Sequence, residues 1–159
     1  MIKIGCYQAK SDFLVKSFCK LAEKSYYSFG KSYVITGQEV PIDALDRALW
    51  TYSKKHFIPH AKIDDPMPEK QPILLSEELS MPNKLVENII LINLPAKHIL
   101  KVITSLPQQN NLSKISVIYD ENIKVSRDEL TQLFQKSNLN VNNLSFFQQL
   151  ALDKWQTIT

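Results

Sequence analysis

The chain has 159 residues, 44% hydrophobic and 22% charged, which suits one globular domain spanning residues 1–159 with a real core. Its net charge of +3 is too small to indicate nucleic-acid binding by charge alone, and no apolar run reaches membrane-spanning length. Two cysteines, Cys6 and Cys19, are too few for a disulfide framework and lack metal-type spacing. No signal-peptide pattern opens the chain, so a reducing cytoplasm is the expected setting.

Ile2 to Tyr7 is short, apolar and β-leaning, a first strand. Ser11 or Asp12 is expected to cap a helix with Phe13, Leu14, Phe18, Cys19, Leu21, Ala22 and Tyr26 on its apolar face and Lys16, Lys20, Glu23 and Lys24 on its polar face. Gly30 stands where a helix ends on a left-handed residue. Ser32 to Thr36 reads as the second strand, closed by Gly37.

Ala44 to His60 (ALDRALWTYSKKHFIPH) is the stretch around which the chain is organised. Ala44, Leu45, Ala48 and Leu49 repeat at helical spacing, with Pro41 tolerated in the first turn. The pattern stops at Trp50 and Tyr52, passes through Lys54 and Lys55, and reopens as His56-Phe57-Ile58-Pro59-His60. Pro59 lacks an N–H and biases Ile58 towards extended backbone, so the second piece is not helical. Trp50 and Phe57 therefore stand at the two ends of one connection. On residue type alone such rings more often close a core; at a surface they would anchor a partner.

Ala61 to Pro72, with three prolines and mixed charges, reads as an exposed loop. Ile73 to Leu75 is a short strand, and Ser76 to Asn83 a second loop. Asn88 to Leu94 is apolar without alternation, the mark of a strand covered on both faces. Pro95 and Ala96 open a helix to about Leu106, with Ile99, Leu100 and Ile103 inward. Lys114 to Tyr119 is another strand. Ser126 and Glu129 form a capping box that starts a helix through Lys136, with Leu130, Leu133 and Phe134 buried. A tail with Leu144-Ser145-Phe146-Phe147 follows, ending near Trp155. Strands alternating with helices in this order predict an α/β fold: a mostly parallel central sheet with helices on both faces.

The familiar catalytic arrangements are missing. Gly5, Gly30 and Gly37 are the only glycines, and none has dinucleotide or phosphate-loop spacing. There is no G-x-S-x-G elbow. His56 and His60 are four apart, but Pro59 keeps them off a common helix face. His98 stands alone, and Cys19 on an apolar face is most simply a small hydrophobe. These absences favour a binding module without catalytic residues, cofactor or metal.

Three blocks and the tail carry a family resemblance. They are Cys19-Lys20-Leu21-Ala22-Glu23-Lys24 with Tyr26, Tyr33 and Val34; Ala44-Leu45-Asp46 through Leu49-Trp50 with Phe57-Ile58-Pro59-His60; Asn88 to Leu94; and the ending Leu144 to Gln149 with Trp155. Over essentially its whole length the chain resembles the chi subunit family of bacterial DNA polymerase III holoenzyme. The resemblance implies a Rossmann-like, non-catalytic accessory protein of the clamp-loader assembly in DNA replication. It implies that Trp50, Phe57 and Pro59 face the psi subunit or a chi-associated helicase. It further implies a separate surface at Val117, Lys124, Arg127 and Phe134 for the acidic C-terminal tail of single-stranded DNA-binding protein, giving indirect contact with single-stranded DNA. No membrane or small-molecule substrate is implied. Where the family has an Ala-Arg-x-Arg-aromatic run, this chain has Ser126-Arg127-Asp128-Glu129-Leu130. Asp128 and Glu129 would oppose an acidic peptide, so weaker, salt-sensitive tail binding is expected.

Two other readings stay open on the residues. One is a small α/β enzyme using His56, His60 and Asp64. The other is direct single-stranded DNA binding by Lys16, Lys20, Lys24, Lys31, Lys54 and Lys55. Residues 1–60 carry nine Lys and Arg against five Asp and Glu, so any basic face is built mostly there.

Overall fold

A computed structural model describes residues 1–28, 30–55, 57–81, 86–107 and 110–158. Its centre is a pair of strands with no solvent-facing side. In β2 (Ser32–Thr36) and β5 (Asn88–Ile92) every residue is buried. The two run parallel in register from Ser32 beside Asn88 to Thr36 beside Ile92. An unalternated apolar run is stable as a strand only when both faces are covered, and here they are.

Around this pair the described residues form an eight-stranded sheet in the order β3-β4-β2-β5-β6-β1-β7-β8. The remaining strands are β1 (Ile2–Gln8), β3 (His60–Lys62), β4 (Ile73–Ser76), β6 (Lys114–Tyr119), β7 (Val141–Ala151) and β8 (Lys154–Ile158). All neighbours are parallel except β7 and β8, which form an antiparallel hairpin. Helices α1 (Leu14–Ser28) and α2 (Ile42–Thr51) cover one face; α3 (Ala96–Thr104) and α4 (Arg127–Gln135) cover the other. Phe18, Leu45, Leu49, Val34 and Ile90 share the first core, and Ile35, Ile89, Ile99, Val102, Leu130 and Phe134 the second. The expected α/β architecture, mostly parallel with helices on both faces, is the one found.

Several local expectations are corrected. No described glycine has positive φ, so Gly30 is not a left-handed helix end. Its lack of a side chain serves a close approach: its N–H donates to the Glu87 carboxylate at 2.9 Å, and a Cβ would meet that carboxylate at 2.4 Å. Neither Ser11 nor Asp12 caps α1. A short 3-10 turn, Ser11–Phe13, leads into it, and the Ser11 hydroxyl bonds the Glu121 carboxyl instead, holding it below its usual range. Leu100 is not inward but 46% exposed; Val102 takes the buried place, as the 100° helical step requires. The loop read over Ala61 to Pro72 begins inside an edge strand, β3.

The tail is the hairpin β7–β8, which places β1 inside the sheet. Tyr7 stacks on Phe147 at 5.0 Å between centroids and meets Trp155 edge-on at 5.7 Å. Gln149, 2% exposed, accepts from the Lys10 N–H at 2.9 Å and donates to the Ser17 hydroxyl at 3.0 Å.

Gly37 is a position where the fold has no room for a side chain. A Cβ there would lie 2.6 Å from the Asn93 carbonyl oxygen, which is backbone and fixed by the neighbouring strand. At Gly30 the obstacle is the movable end of Glu87. In urea unfolding, Gly37→Ala is expected to lose about 1–3 kcal/mol, and Gly30→Ala about 1 kcal/mol or less.

Candidate functional site

Two amphipathic rules build the first candidate surface. In α2, Leu45 and Leu49 are buried and Trp50, one step further round the helix, is thrown outward. After the turn that follows, the chain from Phe57 runs extended, and side chains alternate. Ile58 and His60 point in, at 1% and 7% exposure. Phe57 and Pro59 stay on the outer side, Pro59 half-buried. The outcome is an exposed aromatic pair: Trp50 is 58% and Phe57 52% exposed, with ring centroids 4.9 Å apart and planes inclined by 37°. Lys54 and Lys55 are exposed in the connection between them. The commoner outcome for such rings, burial, is not the one this chain adopts.

Beneath the pair lies His60. Its ring is 5.4 Å from Trp50 and 6.2 Å from Phe57 between centroids. Nδ1 is 2.8 Å from the Ile58 carbonyl oxygen and Nε2 is 3.0 Å from Asp46 Oδ1. Both ring nitrogens of His60 are thus engaged, and Asp64 is an exposed loop residue. His56, the third member of the enzymatic reading, lies outside the described residues. Among the described residues no cluster of three or more His, Cys, Asp or Glu is arranged to hold a metal ion.

The second candidate surface lies where β6 passes into α4. The capping box is present: the Ser126 hydroxyl accepts from the Glu129 N–H at 3.0 Å, and the Glu129 carboxylate accepts from the Ser126 N–H at 3.2 Å. Lys124 and Arg127 are exposed, and the Arg127 guanidinium carbon stands 6.0 Å from the centre of the Phe146 ring on β7. Val117 and Phe134 are each only 2% exposed. Both are buried in the core, so of the four residues only Lys124 and Arg127 are exposed. Glu129 turns back onto its own helix start, whereas Asp128 stays exposed.

Sequence reasoning missed a cleft of about 560 Å³ between the C-terminal ends of α3 and α4, lined by Leu100, Ile103, Leu106, Leu139 and Lys136 among others. The signal was there in the helical step of α3, which turns Leu100 outward once Ile99 and Ile103 are assigned inward.

The row Lys16, Lys20 and Lys24 is exposed along α1 at four-residue spacing, but Lys20 is paired with Asp153 of the hairpin turn. Cys6 and Cys19 are free thiols and buried.

The family model for the DNA polymerase III chi subunit, HolC, matches residues 1–135. The chain belongs to the DNA polymerase III chi subunit family. A relative from Rickettsia prowazekii (strain Madrid E), described as a probable DNA polymerase III subunit chi, is 32% identical over 160 residues, covering 99% of this chain and 93% of its own. The chi family model spans the aromatic pair and the whole of α4, and ends before the β7–β8 hairpin. Membership makes this a DNA replication protein of the polymerase III assembly. No described helix is long and apolar enough to cross a membrane.

Burial pushes both thiols up to about 12, with Glu23 adding to the effect at Cys19. The reactive species is the thiolate, so neither cysteine is a nucleophile in the native chain. Iodoacetamide at neutral pH is expected to label neither residue in the folded protein and both in urea, as read by intact mass; labelling of the folded chain would contradict the burial.

Proposed function

We propose that this protein is a non-catalytic adaptor of the clamp-loader assembly, linking single-stranded DNA-binding protein to the replication machinery. Trp50, Phe57 and Pro59 grip the psi subunit or a chi-associated helicase. Lys124 and Arg127, the exposed members of the set with Val117 and Phe134, receive the acidic C-terminal tail of single-stranded DNA-binding protein. Contact with single-stranded DNA is then indirect, through that protein. The exposed Trp50–Phe57 pair carries the reading: two large rings held together at a surface lose apolar hydration only when something covers them. Aromatic side chains of this kind dominate interface energetics when they are desolvated, and exposed lysines beside them suit a partner with acidic flanks.

Tail recognition needs a cation or helix N-terminus for carboxylates and an apolar hole for a terminal ring. Lys124, Arg127 and the start of α4 supply the first requirement. For the second, the cleft at the far end of α4, with Leu100 on its wall and Lys136 at its rim, is the apolar hole a tail running along the helix would reach. Glu129 is occupied in its own cap, which leaves Asp128 as the opposing charge.

Trp50→Ala and Phe57→Ala are expected to change unfolding stability by less than about 1 kcal/mol, because each ring is more than half exposed. Each is expected to weaken psi or helicase binding about 30-fold in calorimetry, the effect of about 2 kcal/mol at a buried aromatic contact. Neither should alter binding of the host's single-stranded DNA-binding protein tail peptide. Lys124→Glu with Arg127→Glu should do the reverse. Tail binding that survives deletion of the peptide's terminal residue and this charge reversal would remove that half of the reading. Tight, steeply salt-dependent binding of bare single-stranded DNA would replace it with direct contact.

A further inference from the structure

His60 lies against two hydrogen-bond acceptors and two rings, and each contact joins a different part of the aromatic surface. Asp46 and Trp50 are four residues apart on α2 and so share a helix face. His60 touches both, at 3.0 Å to Asp46 Oδ1 and 5.4 Å to the centre of Trp50. Its other nitrogen reaches back over Pro59 to the carbonyl of Ile58, the residue that directly follows Phe57. One imidazole therefore ties the helix that carries Trp50 to the extended segment that carries Phe57.

The chemistry of that tie fixes its protonation. A carbonyl oxygen has no proton to give, and an ionised carboxylate has none. A neutral imidazole has one N–H, so it satisfies one of the two contacts and turns a lone pair towards the other. The imidazolium has two N–H groups and satisfies both. We propose that His60 is held as imidazolium and is the positioning residue of the Trp50–Phe57 pair, so that proton loss releases the pair. This rests on the reading of that pair as a partner grip, and it adds how the grip is held in shape.

The surroundings are consistent with one controlling charge. From α2, Asp46 faces the ring, while Asp43 one turn earlier is bonded by Lys62 of β3 at 3.3 Å. β4 pairs with His60 through Ile73 and has no ionisable side chain over Ile73–Ser76. Trp50 and Phe57, which pack on the ring, do not titrate. A positive ring is also within the range at which aromatic faces attract cations. The protonated form makes the full tie, and loss of either N–H leaves one of the two contacts unmade.

The test uses the full chain and needs no partner. Nitrogen-15 NMR of the His60 ring at neutral pH is expected to show a proton on both nitrogens. Cross-relaxation peaks between the Trp50 and Phe57 rings should weaken as pH rises, while the amide spectrum of the sheet stays unchanged. Asp46→Asn should leave a singly protonated ring and lose those peaks at neutral pH. His60→Phe keeps a flat buried ring, removes both donors, and should lose the peaks at every pH. A singly protonated ring in the wild-type chain overturns the proposal. So do ring–ring peaks that persist through the pH series and in Asp46→Asn, since His60 would then be packing alone. Either failure leaves the partner-binding results for Trp50→Ala and Phe57→Ala standing. Loss of partner binding in neither of those variants would instead remove the grip itself.

Discussion

The aromatic surface depends on the burial of a residue that is not part of it. Ile58 is 1% exposed and packs in the core beneath α1 and α2 with Leu45 and Leu49. Burying such a side chain contributes about 1.5–3 kcal/mol, and here the core beneath the helices is filled by Ile58 and not by a ring. In extended backbone, fixing one side chain inward fixes its neighbours outward. Phe57 and Pro59 therefore face out because Ile58 faces in, and His60 faces in for the same reason. Trp50 is set by the same logic on the helix, one step beyond the buried Leu49. A register slip of one residue in this segment would exchange the two sets and erase the surface.

The two candidate surfaces sit on opposite faces of one sheet. α2 and its aromatic pair cover one side; α4 with Lys124 and Arg127 lies on the other. A parallel sheet with both faces covered is stiff, because its central strands have no free side from which to unpair. Two partners bound there would be separated by the core and held at a fixed mutual orientation. The capping box adds precision at the second surface: it spends the Glu129 carboxylate on its own helix start, so the acidic run that follows Arg127 is less hostile to an anion than its composition implies.

Much of this was legible in the sequence wherever periodicity and burial coincide. β2, β5 and β6, the apolar stripe of α2 and the capping box of α4 each follow from local rules. What was not legible depends on partners distant in the chain. β3 is three residues long and is a strand only because Ile73, Leu74 and Leu75 lie beside it. The hairpin mixes exposed and half-buried positions, as an edge does, and gives no clean alternation. Gly30 was read through its usual role at helix ends, when its use is to let Glu87 approach from 57 residues away. Val117 and Phe134 carry residue types that suit a pocket lining, but only the packed fold shows that both are buried in the core.

One more consequence follows from where β1 sits. Its ladder partners are β6 on one side and β7 on the other, both formed from residues beyond 113. During synthesis at ~5–20 residues per second, the opening strand would wait roughly 5–20 s before the first of its neighbours exists. For that interval Ile2, Ile4 and Cys6, all destined for the core face that α3 and α4 cover, lie on the side away from α1 and have only nascent contacts to shelter them. The nascent chain thus carries an unpaired apolar ribbon at its leading end, and chaperone occupancy on the ribosome should fall only once β6 has emerged.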